Sequence, residues 1–267
     1  MAKASVVEAS ASDNIRESSP FVQINFGGRE IAIKLVYYGP ALSGKTTNLR
    51  ALHELTTDEA RGRLMTLETK DDRTLFFDML PLTLRAEGDR AAGGMTLRIK
   101  IFTVPGQVLH SSTRRLVLQG ADGVAFIADS QVSETEHNAA SFLDLRHNLK
   151  ELGLNLKGLP LVIQFNKRDL DRVRSDDEIG ALASRGREPV FKASAVQGVG
   201  VLETFFGLLH VTWAKLDGEH QLAKMLGIES HALLPMAARQ LGISTEVGSL
   251  LSSCVGGALT RARQVRA

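Results

Sequence analysis

The segment Gly39-Pro40-Ala41-Leu42-Ser43-Gly44-Lys45-Thr46 constrains this chain more than any other. It fits G-x-x-x-x-G-K-[ST] and lies between a β-rich run, Ile31 to Tyr38, and a run with Leu49, Leu52 and Leu55 at helical spacing. Glycines at 39 and 44 let the backbone curl so that successive N–H groups face one concavity. Ala41, Leu42, Ser43, Gly44, Lys45, Thr46 and Thr47 are the expected contributors, with Gly39 making the turn. The helix that starts near Lys45 adds its positive end. Lys45 supplies a charge for β- and γ-phosphates, and the Thr46 hydroxyl is a ligand for Mg²⁺. The alternative, a glycine turn capping an ordinary helix, is disfavoured by the strand and helix on either side.

Strands alternate with helices downstream. Val124 to Ala128 and Leu161 to Phe165 read as buried parallel strands, and Val190 to Ala193 as a last short one. Between the first two lies a helix with Phe142, Leu145, Leu149 and Leu152 on one face. Val201 to Leu216 reads as an apolar helix whose Leu202, Phe205, Phe206, Leu209 and Trp213 are core residues. Upstream, Phe21 to Phe26 and Arg29 to Tyr38 flank Gly27-Gly28 and read as a hairpin, giving the loop-bearing strand an antiparallel neighbour. Arg61 to Asp78 is polar and irregular, with strands expected at Pro81 to Ala86 and Met95 to Phe102. This pattern predicts an α/β fold with a mostly parallel sheet covered on both faces, and ligands at the carboxyl ends of its strands.

Residues 1–20, rich in Ala and Ser, read as a disordered lead, 21–216 as the folded domain, and 217–267 as a helical or partly disordered extension. Its boundary is set at Asp217-Gly218-Glu219 and its breaks at Gly227, Pro235 and Gly242. The arginines at 261, 263 and 266 raise a second reading of the extension as a membrane-surface or partner-binding helix. A net charge of +2 over 267 residues gives no reason to expect a nucleic-acid partner. The single cysteine, Cys254, excludes an internal disulfide framework and fits a reducing compartment. No apolar run approaches a membrane span and no signal peptide is evident, so a cytoplasmic protein is expected.

Asn166-Lys167-Arg168-Asp169 follows a buried strand and fits N-K-x-D. A carboxylate at 169 accepts hydrogen bonds from the guanine N1–H and N2 amino group, a donor pair that adenine lacks. Asn166 braces the loop, the Lys167 stem lies along the base, and Ser194-Ala195 stand where a backbone N–H meets guanine O6. Thr103-Val104-Pro105-Gly106-Gln107 occupies the place of D-x-x-G-Q. Gly106 allows a backbone N–H near the γ-phosphate, and Gln107 orients the attacking water, unless it merely caps the next helix. Thr103 replaces the usual aspartate with a weaker acceptor for the hydration shell of Mg²⁺.

The runs VYYGPALSGKTTNLRALHE, DDRTLFFDMLPL, FTVPGQV, GVAFIADSQ, QFNKRDL and SAVQGVGV, collinear from about residue 21 to 216, resemble the MglA-type family of bacterial small Ras-like GTPases of gliding motility and cell polarity. The resemblance implies the P-loop small-GTPase fold, GTP and GDP as substrate and product, and Mg²⁺ as cofactor. A threonine at 103 is usual in that family. By residue type alone Arg73 reads as a solvated charge; the resemblance makes it an intrinsic arginine finger. It likewise makes Thr74 the switch ligand of Mg²⁺ and the γ-phosphate, and Gln107 the catalytic glutamine. It further implies slow turnover stimulated by a homodimeric roadblock-fold activator (MglB-like), effectors of motility or polarity, and recruitment to a cell pole. The chain departs from the compact family pattern in its lead, in a longer turn around Arg90 to Gly94, and in the extension after Leu216. A rival reading is a GTP-binding module that signals by occupancy with negligible hydrolysis; an ATP-using P-loop protein conflicts with Asp169.

Overall fold

The computed structural model describes residues 23–25, 27–68, 76–85, 95–105 and 111–255. Their eight strands are β1 (Gln23–Asn25), β2 (Glu30–Tyr38), β3 (Met65–Glu68), β4 (Phe76–Arg85), β5 (Thr96–Thr103), β6 (Gly123–Asp129), β7 (Leu161–Asn166) and β8 (Val190–Lys192). They form one sheet in the order β3-β4-β5-β2-β6-β7-β8. From β5 to β8 all neighbours are parallel, while β3 and β4 form an antiparallel edge. The hairpin at Gly27-Gly28 is present: β1 pairs antiparallel with β2 at Glu30 to Ala32. It occupies the flank of β2 that β6 takes over from Leu35 onward.

The β2 sequence sorts its side chains by alternation. Ile31, Ile33, Leu35 and Tyr37 enter one apolar layer, and Val36 and Tyr38 the other. The first layer lies under α1 (Lys45–Leu55) and α5 (Val201–His220). The second lies under α2 (Ser111–Leu118), α3 (Thr135–Glu151) and α4 (Asp176–Arg185). Every residue of β6 is buried, as expected of a parallel strand covered on both faces.

Three sequence expectations are corrected here. The stretch from Arg61 to Asp78 is not wholly irregular, for it contains β3 and the start of β4. A four-residue edge strand shows too little alternation to read. Pro81 sits inside β4 beyond the residues paired to β3, near the edge of the sheet, where its carbonyl accepts the Gly62 N–H at 2.8 Å. The polar triplet at Asp217 is no break: α5 runs through it, and Asp217 Oδ1 accepts the Ala223 N–H at 2.7 Å, tying α5 to α6 (Leu222–Leu226). Pro235 falls in the first turn of α7 (Leu233–Gln240), where proline is tolerated, rather than between helices. Gly227 and Gly242 do follow helix ends, both in the left-handed conformation.

With α8 (Val247–Ser252), these helices close the α1 side of the sheet. Leu222, Leu226, Leu233, Ala237, Leu241 and Leu250 belong to the same buried layer as Leu49, Leu52 and Phe205. Polar contacts reinforce the seam. Gln240 uses its side-chain amide to accept the Arg85 N–H at 2.8 Å and to donate to the Arg85 carbonyl at 2.7 Å, gripping the end of β4. Trp213 Nε1 donates to the Ser230 carbonyl at 3.0 Å.

Candidate functional site

The glycine-rich loop leaves the carboxyl end of β2, the central strand, and delivers the chain into α1. Gly39 adopts φ 152°, and a Cβ there would collide with the Ile127 carbonyl of β6, so the loop crosses its neighbour strand at backbone contact. Gly44, the residue before α1, has φ 94°, and a side chain there would collide with the Asn166 amide. Leu42 also holds a left-handed conformation and is 88% exposed, so the side chain of the loop tip does not fill the concavity. The first-turn N–H groups of α1 therefore open into the concavity, since Gly44 has no side chain to cap them.

Lys45 is buried and donates to the Gly39 and Pro40 carbonyls at 2.9 and 2.5 Å, which arches its ammonium back over the loop. Burial, reinforced by the nearby Arg114 charge, pushes its pKa down to about 7. An anion placed in the loop would restore the charged form by direct attraction.

Thr46, in the first turn of α1, donates to Asp78 Oδ2 at 2.6 Å. Asp78 projects from β4 and is also met by Thr66 of β3 at 2.9 Å. Its own N–H bonds to Thr103 Oγ1 at 2.9 Å, and that hydroxyl lies 3.4 Å from Asp78 Oδ2. Thr103, which stands for the expected aspartate of β5, thus has a carboxylate beside it from the adjacent strand. Sequence reading missed Asp78 because it closes a stretch taken as irregular; the alternation of β4 is the signal that could have found it. The donor set of Thr46, Thr66, Asp78 and Thr103 consists of oxygen atoms alone, which suits a hard divalent cation such as Mg²⁺.

Asn166, at the end of β7, joins the second loop to the first: its Nδ2 donates to the Ser43 carbonyl at 2.9 Å. Its Oδ1 accepts the Ala195 N–H at 2.9 Å, so that N–H, expected at guanine O6, is directed to Asn166 here. Ser194 Oγ donates to Asp169 Oδ1 at 2.5 Å, and Asp169 is otherwise exposed. Lys167 takes a left-handed conformation and pairs with Asp129 of β6 at 2.6 Å. A cleft of 620 Å³ flanks these groups between the phosphate loop and α3, lined among others by Pro40, Ala41, Leu42, Asp129 and Lys167. The structure therefore brings together Gly39 to Thr47 with Asn166, Lys167, Asp169, Ser194 and Ala195. Arg73, Thr74, Gly106 and Gln107 lie outside the described residues.

A phosphate loop on the central strand of a mostly parallel sheet, bonded directly to an N-K-x-D loop two strands away, is the arrangement of a Ras-like small GTPase. No protein-family model matches the chain. It is 46% identical over 181 residues to mutual gliding-motility protein MglA of Myxococcus xanthus (strain DK1622), spanning 68% of this chain and 90% of that protein. It is 24% identical over 200 residues to Ras-related protein Rab-27A of Homo sapiens, spanning 72% of this chain and 83% of that one. The chain belongs to the MglA family of bacterial small GTPases. Among the described residues no helix is long and apolar enough to cross a membrane.

Proposed function

We propose that the protein is a GTP-hydrolysing switch of bacterial gliding motility or cell polarity, slow alone and stimulated by a partner. The observation that carries this reading is the Asn166–Ser43 bond, which fastens a base-reading loop to a phosphate loop so that one ligand spans both. Asp169 accepts from guanine, the 39–47 backbone and Lys45 hold the phosphates, and the motility role is inferred from the similarity to the Myxococcus gliding-motility protein.

Thr46 and Asp78 would hold Mg²⁺, with Thr74 as a further ligand. When bound, the ion neutralises charge on the phosphates. Gln107 orients the attacking water, and the Gly106 N–H faces the γ-phosphate. Arg73 offsets charge that develops on the transferred phosphoryl group, an electrostatic contribution expected from an arginine in a dry site. The activator is a roadblock-fold homodimer that arranges Arg73 and Gln107 around the nucleotide. Residues 21–216 form the switch unit, and 217–267 its extension.

Single-turnover GTP hydrolysis, with and without a roadblock-family dimer, tests this. The dimer is expected to accelerate the wild type, and Arg73→Ala or Gln107→Ala to remove the acceleration, by about 10³-fold or more for the arginine. Tight GTP binding with no turnover under any condition would replace the switch with an occupancy-only module.

A further inference from the structure

Behind the phosphate loop, out of reach of any ligand, lies a row of buried polar side chains that the reading above does not use. Asn48 of α1, Gln164 of β7 and Thr204 of α5 are each 0% exposed. Asn48 Nδ2 donates to Gln164 Oε1 and Gln164 Nε2 donates to Asn48 Oδ1, both at 2.9 Å, closing a reciprocal amide pair. The second Asn48 N–H goes to the Gly44 carbonyl at 3.0 Å. The second Gln164 N–H goes to Thr204 Oγ1 at 2.8 Å, and Thr204 passes its own proton to the Gly200 carbonyl at 2.7 Å. Every amide N–H of the pair is therefore used. Buried amides in an otherwise apolar layer persist only when satisfied this completely, because an unpaired one costs more than an apolar replacement.

What the chain of bonds holds is specific. The Gly44 carbonyl accepts from both the backbone and the side chain of Asn48. A trans peptide is planar, so pinning that carbonyl into the helix turns the Lys45 N–H of the same peptide toward the phosphate concavity. One peptide earlier, Asn166 pins the Ser43 carbonyl in the same manner. Gln164 and Asn166 are two residues apart on β7 and thus share a face. Two consecutive peptides of the phosphate loop are therefore oriented from one strand, the strand that ends in the base-reading loop. At its other end the row reaches Gly200, the residue that follows the turn closed by the reciprocal Ser194–Val199 backbone bonds.

We propose that the Asn48–Gln164–Thr204 row couples the two halves of the nucleotide site, making Asn48 and Gln164 positioning residues for guanine selection although neither touches phosphate or base. With the row intact, the carboxylate of Asp169 stands at a set distance from the phosphate loop, and a base lacking one donor is penalised in full. With the row removed, the loops are joined by the Asn166 bonds alone, and much of the mismatch is absorbed by movement. This rests on the guanine-nucleotide reading given above.

The test compares dissociation constants for GDP and IDP, whose base lacks the 2-amino donor, in the wild type, in Asn48→Leu/Gln164→Leu, and in Asn48→Gln/Gln164→Asn. The last keeps two amides and the summed side-chain length. The wild type is expected to favour GDP by about 10-fold or more, as for a hydrogen bond to a carboxylate. The leucine pair should lose most of that ratio, and the exchanged amides should recover it. General destabilisation weakens both nucleotides alike and leaves the ratio unmoved, so an unchanged ratio in a folded leucine pair overturns the proposal. Failure of the wild type to bind GDP overturns the guanine reading and the coupling with it. If the leucine pair does not fold, hydrogen exchange in the wild type decides: pyrophosphate alone should slow exchange at residues 200–204, which no phosphate contact reaches. Protection confined to residues 39–48 overturns the coupling.

Discussion

At Asp78 one carboxylate meets the hydroxyls of Thr46, Thr66 and Thr103, drawn from a helix and two strands. If it serves the cation rather than merely bracing β4, Asp78→Asn is expected to weaken Mg²⁺ in the nucleotide complex by about 10- to 100-fold, the usual loss for a disrupted supporting carboxylate. Magnesium titration of nucleotide release measures this, and an unchanged midpoint would reduce Asp78 to a brace. At the opposite end of the sheet, Asp122 is buried with Oδ2 on the Lys34 N–H at 2.7 Å, while Oδ1 has no hydrogen-bond partner among the described residues. Burial, opposed by the Lys34 N–H and the charges of Lys34 and Lys215, raises its pKa from 3.8 to about 7. A raised carboxyl binds its proton more tightly folded than unfolded. Stability is therefore greatest below the unfolded value, falls as pH climbs through the interval up to the folded value, and is level above it. Asp122→Asn should flatten that fall and stabilise the protein at pH 8 by on the order of a few kcal/mol. Denaturant melts at pH 5 and pH 8 check this; an equal slope in wild type and variant would refute it.

The elements were unequally legible. The phosphate loop, β2, β6 and β7 announced themselves, because buried parallel strands are unbroken apolar runs and the loop needs glycine where the backbone turns left-handed. α4 carries a capping box, Ser175 with Glu178, that would have disclosed it. The short β3 had no such mark. Asn48 and Gln164 were not legible at all: an amide in an amphipathic helix and another in an apolar strand look like noise until the fold places the two 2.9 Å apart. The C-terminal helices were legible as helices but not as core, since short amphipathic pieces do not say what they cover. Their packing yields a prediction at this scale. Leu233→Ala, at a fully buried position, is expected to cost about 2–5 kcal/mol, read by denaturant melts. A loss below about 0.5 kcal/mol, typical of surface positions, would show that α7 is not part of the core.

Taken whole, the molecule puts its binding loops at one end of the sheet, while α6 to α8 seal one face along α1 and α5. The division at residue 216 is then a division of sequence rather than of folding unit, and this is testable. The only tryptophan, Trp213, is bonded across the seam to Ser230. Its fluorescence and far-ultraviolet circular dichroism should report one unfolding transition, and both should shift together with GDP and Mg²⁺, by about 4 kcal/mol at a thousandfold excess over Kd. Separate transitions would mark the extension as an independent unit.

The seal has a consequence for the order in which the chain is built. Leu49 and Leu52 leave the ribosome early, but their apolar layer is covered by residues as late as Leu250. Until synthesis passes that point, the nascent protein presents an open greasy flank beside an already formed phosphate loop. Such exposed surface is what nascent-chain chaperones bind, so the switch would be born needing shelter on one side only.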